Sequence, residues 1–466
     1  MQEYNHVNET DLAFFRQLMP GRVFAGVEIS TDYDHDEMTE YGHFGPEAVL
    51  QALTAEEICA VLKYCNERRI PVTPRGAGTG LCGGCVAIHG GVVLSTEKMK
   101  RVLEVDTRNM TATVEPGVLL MEFPKALEGT GLFYPPDPGE KTATMGGNAM
   151  TNAGGMRAVR YGVTRDYVLG MDVALADGSL ISLGGKTVKT SSGYSLIDLM
   201  IGSEGTLGFL TKLTVKLVPE PKVNLSLLIP FDDLDACIGA VPKVLACGCD
   251  PTAVEFMERE VISCAETYLG KQFPDVSADA YLLVRLDGPS AEALRPAMDA
   301  VTDLVLSIGA RDVLLADTDE RKESIWNARG AFLEAIKGST TAMDECDVVV
   351  PRDVIPEFVH RMVEIGRQAG VRICSFGHAG DGNLHIYVCR DDLPEEAWKQ
   401  KVAAVMDRLY AEARSLRGEV SGVHGIGHAK KAFLKESAGE KQIALMRGIK
   451  AVFDPNGILN PGKVVS

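Results

Sequence analysis

The loop Arg75-Gly76-Ala77-Gly78-Thr79-Gly80 restricts the fold more than any other stretch of this sequence. It follows a short apolar run, Ile70 to Thr73, that reads as a strand. Its glycines let backbone N–H groups converge on an anion, and Arg75 adds positive charge. A dinucleotide-binding βαβ unit needs a helix directly after such a loop. Here the chain runs through LCGGC to a second strand at Val92–Ser95, so a nicotinamide-binding doubly wound sheet is disfavoured. Two more glycine-rich stretches follow, PPDPGEKTATMGGNAMTNAGG at 135–155 and GSEGTLG at 202–208. Gly146, Gly147, Gly154 and Gly155 permit close backbone approach. Asn148, Thr151 and Asn152 supply uncharged donors and acceptors. Three such stretches suit a long cofactor with diphosphate, sugar and ring portions.

Elsewhere the pattern alternates between helix and strand. Leu12, Phe15 and Leu18 recur at helical spacing, and 30–45, rich in Asp, His and Gly, reads as irregular. Thr54 with Glu57 three residues on forms a capping box ahead of the apolar face Ile58, Val61, Leu62 and Cys65. Strands are expected at Thr111–Val114, Val168–Leu175 and Leu207–Leu217, and PEPK at 219–222 reads as a boundary. Beyond it, strand–helix–strand passes occur twice, over 225–257 and 281–315, and helices follow near 319–337, 353–369 and 395–416. A chain of 466 residues is long enough for two or three domains. The expected division is 1–220, 221–417 and a C-terminal segment 418–466 that packs back on the first domain and the active site. The class is α+β.

Charge and cysteine usage exclude some partners. The net charge of −17 disfavours nucleic acid. No apolar run reaches the ~18–20 residues of a membrane helix, and the polar N-terminus is unlike a signal peptide. A cytoplasmic location is expected. Of the eleven cysteines, only Cys82/Cys85 and Cys247/Cys249 lie close in sequence, which reads as free thiols packed as small side chains.

GHAGDGNLHIYV is the stretch richest in chemistry. With Asp381-Gly382 as a two-residue hairpin turn, His378 falls directly opposite His385, their Cβ atoms about 5 Å apart. Such a pair suits one divalent metal. Tyr387 points to the same side. His424 lies beside glycine in GVHGIG, and Arg329 sits on an expected helix, where it could pair with a carboxylate. Trp326 and Phe332 read as core, and the acidic run Asp344, Glu345, Asp347 as a solvated turn.

RGAGTG, PPDPGEK with GGNAMTNAGG, GYSLIDLMIGSEGTLG and GHAGDGNLH occur in an order that resembles the FAD-linked oxidase family of the vanillyl-alcohol-oxidase fold. Within it, the chain looks like the D-lactate dehydrogenase and glycolate oxidase FAD-subunit branch. It is most similar to the D-lactate dehydrogenases of anaerobic bacteria that work with an electron-transferring flavoprotein. The resemblance implies a two-part FAD-binding domain and an α+β cap with ferredoxin-like βαβ passes. It implies that Arg75, Gly76, Ala77, Gly78, Thr79 and Gly80 hold the FAD diphosphate, and that Thr144, Gly147, Asn148, Thr151 and Asn152 line the flavin. Asp137, Pro138, Gly154, Glu204, Gly205, Gly208 and Asn460 complete the cofactor set. No His lies in residues 74–85, so FAD is expected to be non-covalent.

The resemblance also assigns roles. His424 becomes the general base, Arg329 the carboxylate anchor, and His378 and His385, with Tyr387, substrate contacts. The two histidines are the ligands of a divalent metal, zinc or iron. Relatives carry a third ligand, Glu, in SGEHGIG. This sequence has Val423 there, which cannot ligate, and Glu419 is roughly 13 Å back along an extended strand. The reaction implied is D-lactate to pyruvate, with electrons passed to the two subunits of an electron-transferring flavoprotein and flavin-based electron bifurcation. Glycolate or another D-2-hydroxy acid, or a redox-neutral flavin-dependent transferase of the same fold, are the alternatives.

Overall fold

Helix Ala55–Arg68 starts where Thr54 Oγ1 accepts the Glu57 N–H at 3.3 Å and stops at Arg69, whose φ of 52° is left-handed. The Glu57 carboxylate does not close the capping box. It accepts from Leu53 N and pairs with Arg22. The helix buries Ile58, Val61, Leu62 and Cys65 in one core with Phe15, Met19, Leu50, Val72, Val92 and Leu94. That core lies in the first of two units into which the computed structural model, which describes residues 3–466, divides. The first unit takes the chain up to Ala153, Val163–Glu220 and Val423–Ser466. The second takes Gly154–Gly162 and Pro221–Gly422.

The first unit holds two sheets. Strands β1 (Val23–Ala25), β2 (Ala48–Gln51), β3 (Val72–Arg75) and β4 (Val92–Ser95) form one, in the order β1-β2-β4-β3. Because β3 and β4 run parallel, the 75–80 loop leaves the end of β3 and must cross back before β4 begins. Strands β5 (Val102–Asp106), β6 (Thr111–Val114), β8 (Val168–Ala174), β9 (Leu180–Gly184) and β10 (Phe209–Lys216) form the second, in the order β5-β6-β10-β8-β9. A ribbon of β7 (Leu132–Phe133) and β11 (Val218–Pro219) stands apart. The last residues of the chain return to β3: Val72 N donates to Ile458 O and Asn460 N to Val72 O, both at 2.8 Å.

The second unit is built on one seven-stranded sheet. Its strands are β12 (Val223–Phe231), β13 (Ala253–Glu258), β14 (Ala280–Gly288), β15 (Leu314–Ala316), β16 (Met343–Val349), β17 (Arg372–His378) and β18 (Asn383–Cys389). Their order is β15-β12-β14-β13-β17-β18-β16. The two strand–helix–strand passes are present, through helices Leu234–Ala246 and Ala291–Ser307. The expected helix 319–337 is two helices, Asp319–Gly330 and Phe332–Ser339, joined at Ala331. The fold is mixed helix and sheet, as the sequence suggested. Among the described residues, no helix is long and apolar enough to cross a membrane.

Candidate active site

In the first unit the glycine-rich stretches converge, and most of the glycines are required by protein rather than left open for a ligand. A Cβ on Gly76 would meet Thr144 Oγ1 at 2.4 Å, one on Gly205 would meet Pro74 Cγ at 2.3 Å, and one on Gly208 would meet Val173 Cγ1 at 2.4 Å. Residues 145–151 are helical, within the glycine-rich stretch 135–155 to which the sequence assigned no element. Gly146 tolerates no side chain because Pro116 O lies 2.8 Å from where its Cβ would be. Thr144 caps that helix by accepting the Gly147 N–H at 3.1 Å. The 202–208 loop docks on its far end, through Gly202 N to Ala149 O and Glu204 N to Met150 O.

Arg75 does not present free charge to its own loop. Its guanidinium donates to the carbonyls of Asp32 (2.6 Å) and His35 (2.9 Å) and to Cys85 Sγ (3.3 Å). The loop instead offers backbone: among the described residues, the N–H groups of Ala77 through Leu81, Thr79 and Gly80 included, donate to no protein acceptor. Asp137 pairs with Lys141, which also donates to Pro138 O at 3.1 Å. Thr151 Oγ1 donates to Gly147 O, and Asn152 Oδ1 accepts from Arg165 N. Gly154 belongs to the second unit.

Glu204 holds a loop of its own unit. Its buried carboxylate accepts the N–H groups of Ile426 (2.7 Å) and Gly427 (2.8 Å). It thereby fixes the loop that carries His424. Burial pushes its pKa up, opposed by those two N–H groups and by Lys463 and Lys430. Cys82 grips the same loop: its thiol donates to Gly425 O at 3.2 Å, and its carbonyl accepts from His428 N. The glycines flanking this loop serve these contacts. A Cβ on Gly425 would lie 2.9 Å from Glu204 Oε1, and one on Gly427 would lie 1.9 Å from Cys82 O.

In the second unit, a row of side chains crosses one face of the sheet. His378 and His385 share that face, but not as direct opposites. The hairpin loop has four residues, Ala379 to Gly382, so His378 pairs with Asn383 and His385 with Phe376. A two-residue slip preserves the face because side chains alternate with period two. The imidazole centroids are 5.1 Å apart and the rings nearly perpendicular. Tyr387 follows on the same face and stacks on Phe376.

A buried carboxylate orients His378 by a hydrogen bond, whereas the carboxylate nearest His385 stands at ion-pair distance only. His378 Nδ1 lies 2.8 Å from Glu255 Oε1, and His385 Nδ1 lies 3.5 Å from Asp347 Oδ1. Glu255 also receives Arg329, whose Nε donates at 2.8 Å, and the guanidinium lies over the Phe376 ring, 4.5 Å from its centroid. Burial works to raise the Glu255 pKa, but His378 and Arg329 outweigh it and hold the carboxyl below its usual range. Asp347 accepts from Asn383 Nδ2 (2.7 Å), Ser421 Oγ (2.9 Å) and Gly422 N (2.9 Å). The acidic run is therefore no solvated turn. It is strand β16, and Glu345 and Asp347 are wholly buried. Glu345, Asp347 and His385 each bring a ligand atom within 4.8 Å of the others'. Val423, in the first unit, brings none.

The chain matches the family profile described as "FAD linked oxidases, C-terminal domain" over residues 220–464, and that of an FAD binding domain over 46–184. It is 50% identical to a D-lactate dehydrogenase of Anaerostipes hadrus, over 99% of this chain and 98% of that one. This chain belongs to the FAD-linked oxidase family. It is also 39% identical to the glycolate oxidase subunit GlcD of Bacillus subtilis, over 93% of this chain and 91% of that one. The solved structure of p-cresol methylhydroxylase has the same fold, with a TM-score of 0.80 at 19% identity over 97% of this chain and 96% of that one. The fold is thus of the vanillyl-alcohol-oxidase type, and the cofactor is FAD.

The first unit fits FAD on its own evidence. Asn148 Nδ2, Ser203 Oγ and Asn460 Oδ1 are buried polar atoms with no partner in the protein. Their residues are tied together, since Asn460 Nδ2 bonds Glu204 O and Gly84 O, and the 202–204 backbone bonds the 145–151 helix. A flavin nucleotide would supply the missing acceptors and donors. Sequence reading did not find Ser203, Glu255 or Asp347. The i, i+2 spacing of Glu345 and Asp347 was the available signal for the last.

Proposed function

We propose that this enzyme oxidises D-lactate to pyruvate and passes the electrons to an electron-transferring flavoprotein. The row of Glu255, His378, His385 and Asp347 on one buried sheet face, which Arg329 reaches from helix Asp319–Gly330, carries this reading. The D-lactate dehydrogenase relative supports the substrate class. Arg329 holds the substrate carboxylate, for which a guanidinium is suited by its paired donors. Glu255 takes the Nδ1 position of His378, which turns its Nε2 to the substrate hydroxyl, and Asp347 places a negative charge 3.5 Å from His385 Nδ1. Glu345 and Asp347 are buried acids on the same face, so a second substrate carboxylate meets like charge and a monocarboxylate is favoured.

His424 takes the hydroxyl proton, a role suited to a neutral imidazole near physiological pH. FAD bound in the first unit would supply the acceptor for the C2 hydrogen as hydride, leaving the 2-oxo acid. A divalent cation would be held by His378 and His385 and would supply Lewis acidity at the hydroxyl. Eleven free cysteines support a reducing, cytoplasmic setting.

Anaerobic absorbance tests this reading. D-lactate should bleach the flavin band while L-lactate and glycolate leave it. Bleaching by glycolate alone would favour the second reading, which the glycolate oxidase relative supports. A flavin that no 2-hydroxy acid bleaches would sink both and leave the redox-neutral transferase. The acceptor is tested separately, by mixing the reduced enzyme with purified electron-transferring flavoprotein and following its reduction.

A further inference from the structure

A second metal-ligating cluster lies in the first unit, on the irregular segment 30–45. Asp34, His35 and His43 each present a ligand atom within 4.8 Å of the other two. Nothing in the hydroxy-acid chemistry uses them. The segment folds back on itself to bring them together: Phe44 N donates to Asp34 O at 2.7 Å. Gly42 makes the return, with φ of +103°, and a Cβ there would strike the Phe44 ring at 2.9 Å. The rings of His35 and His43 stand edge to face, with centroids 5.1 Å apart.

The tautomers are set for ligation. His35 Nδ1 lies 2.7 Å from the Asp36 carbonyl, which can only accept, so Nδ1 carries the proton and Nε2 the lone pair. His43 Nδ1 is 2.7 Å from Asp34 Oδ1, which leaves its Nε2 as the second imidazole ligand atom. A zinc-sized ion sits ~2.1 Å from each ligand, which requires ligand atoms roughly 3–3.5 Å apart. Small side-chain rotations close that gap, since His43 is exposed and Asp34 and His35 are partly so. Two imidazoles and a carboxylate form a donor set that zinc, nickel and copper accept and that leaves positions for water.

We propose that Asp34, His35 and His43 form a divalent transition-metal site that clasps the 32–43 segment. This segment is also the seat of Arg75, whose guanidinium bonds the carbonyls of Asp32 and His35. An ion here therefore stiffens the support of the 75–80 loop and slows loss of FAD.

The test is calorimetric titration of chelator-treated holoenzyme with zinc alone, comparing the parent chain with His43→Ala and Asp34→Asn. Both positions lie outside the sheet-face site, so zinc taken up there is common to all three. The parent should bind one equivalent more than either variant, or bind it at least tenfold more tightly. Zinc should also slow FAD release several-fold in the parent and not in His43→Ala. Identical isotherms in parent and variants would overturn the site. A His43-dependent isotherm with unchanged FAD release would overturn the clasp.

Discussion

Glu255 sits on a buried strand between Arg329 and His378, so its charge is balanced by side chains rather than by water. Replacing it by Gln leaves Arg329 buried without its partner, which costs about 3–5 kcal/mol. It also releases His378 Nδ1, and loss of such an orienting carboxylate lowers activity roughly 10–100-fold. Urea unfolding and steady-state kinetics of Glu255→Gln read the two effects separately. An unchanged urea midpoint would refute the assigned pairing. Asp36 gives a pH-dependent counterpart. Burial pushes its pKa up to about 6, against the opposing N–H groups of Met38 and Gly83 and the charge of Arg75. The native state then binds the Asp36 proton more tightly than the unfolded chain, whose Asp titrates near ~3.9. Stability should therefore fall as pH rises from about 4 to about 6, by on the order of 3 kcal/mol, and the group adds no slope above that. Asp36→Asn should remove this slope from urea midpoints measured across that range. A slope unchanged by the substitution would show that Asp36 is not its source.

At the scale of elements, the hairpin shows what sequence can and cannot fix. That His378 and His385 share a face was legible, because alternation survives a two-residue error in register. The register itself was not. Asp381-Gly382 looks like a complete turn, but Gly382 is held by Val350: a Cβ there would lie 2.1 Å from Val350 O. That contact comes from the residue just after β16, over thirty residues away, and leaves no local trace. Glu255 was equally hidden, since in VEFME it is one of two acids in an otherwise apolar strand, and its partners, Arg329 and His378, come from distant elements. The helix 145–151 went unassigned for the same reason, since Pro116, packed against Gly146, is remote in sequence. The strand–helix–strand passes, by contrast, repeat locally and were readable. The hairpin argument predicts a graded pair of substitutions. Gly270→Ala should cost only its left-handed backbone, φ +63°, about 1 kcal/mol, because nothing lies within 4 Å of the new methyl. Gly382→Ala carries both φ +91° and the Val350 clash, and should cost at least ~2 kcal/mol more. Equal urea midpoints for the two variants would contradict the tight approach.

At the scale of the whole molecule, the two units differ in what they hold. Apart from Gly154, the expected FAD residues fall in the first unit, together with the orphaned atoms of Asn148, Ser203 and Asn460. The histidine–carboxylate row falls in the second, on a sheet with its own buried apolar strands. Two units with separate cores should unfold in two calorimetric transitions rather than one. A ligand stabilises what it binds by about 2.7 kcal/mol at a hundredfold excess over its dissociation constant. For a unit of this size, each kcal/mol moves the midpoint by roughly 2–4 °C. Saturating FAD should therefore raise one transition by roughly 5–10 °C and leave the other in place. The orphaned polar atoms make this more than mass action: without FAD they are buried and unsatisfied, each at a cost of ~1–3 kcal/mol. Ser203→Ala should accordingly narrow the gap between apo and holo midpoints by raising the apo transition. If FAD instead lifts both transitions equally, the cofactor does not belong to the first unit alone, and the partner atoms assigned to it here must be sought elsewhere.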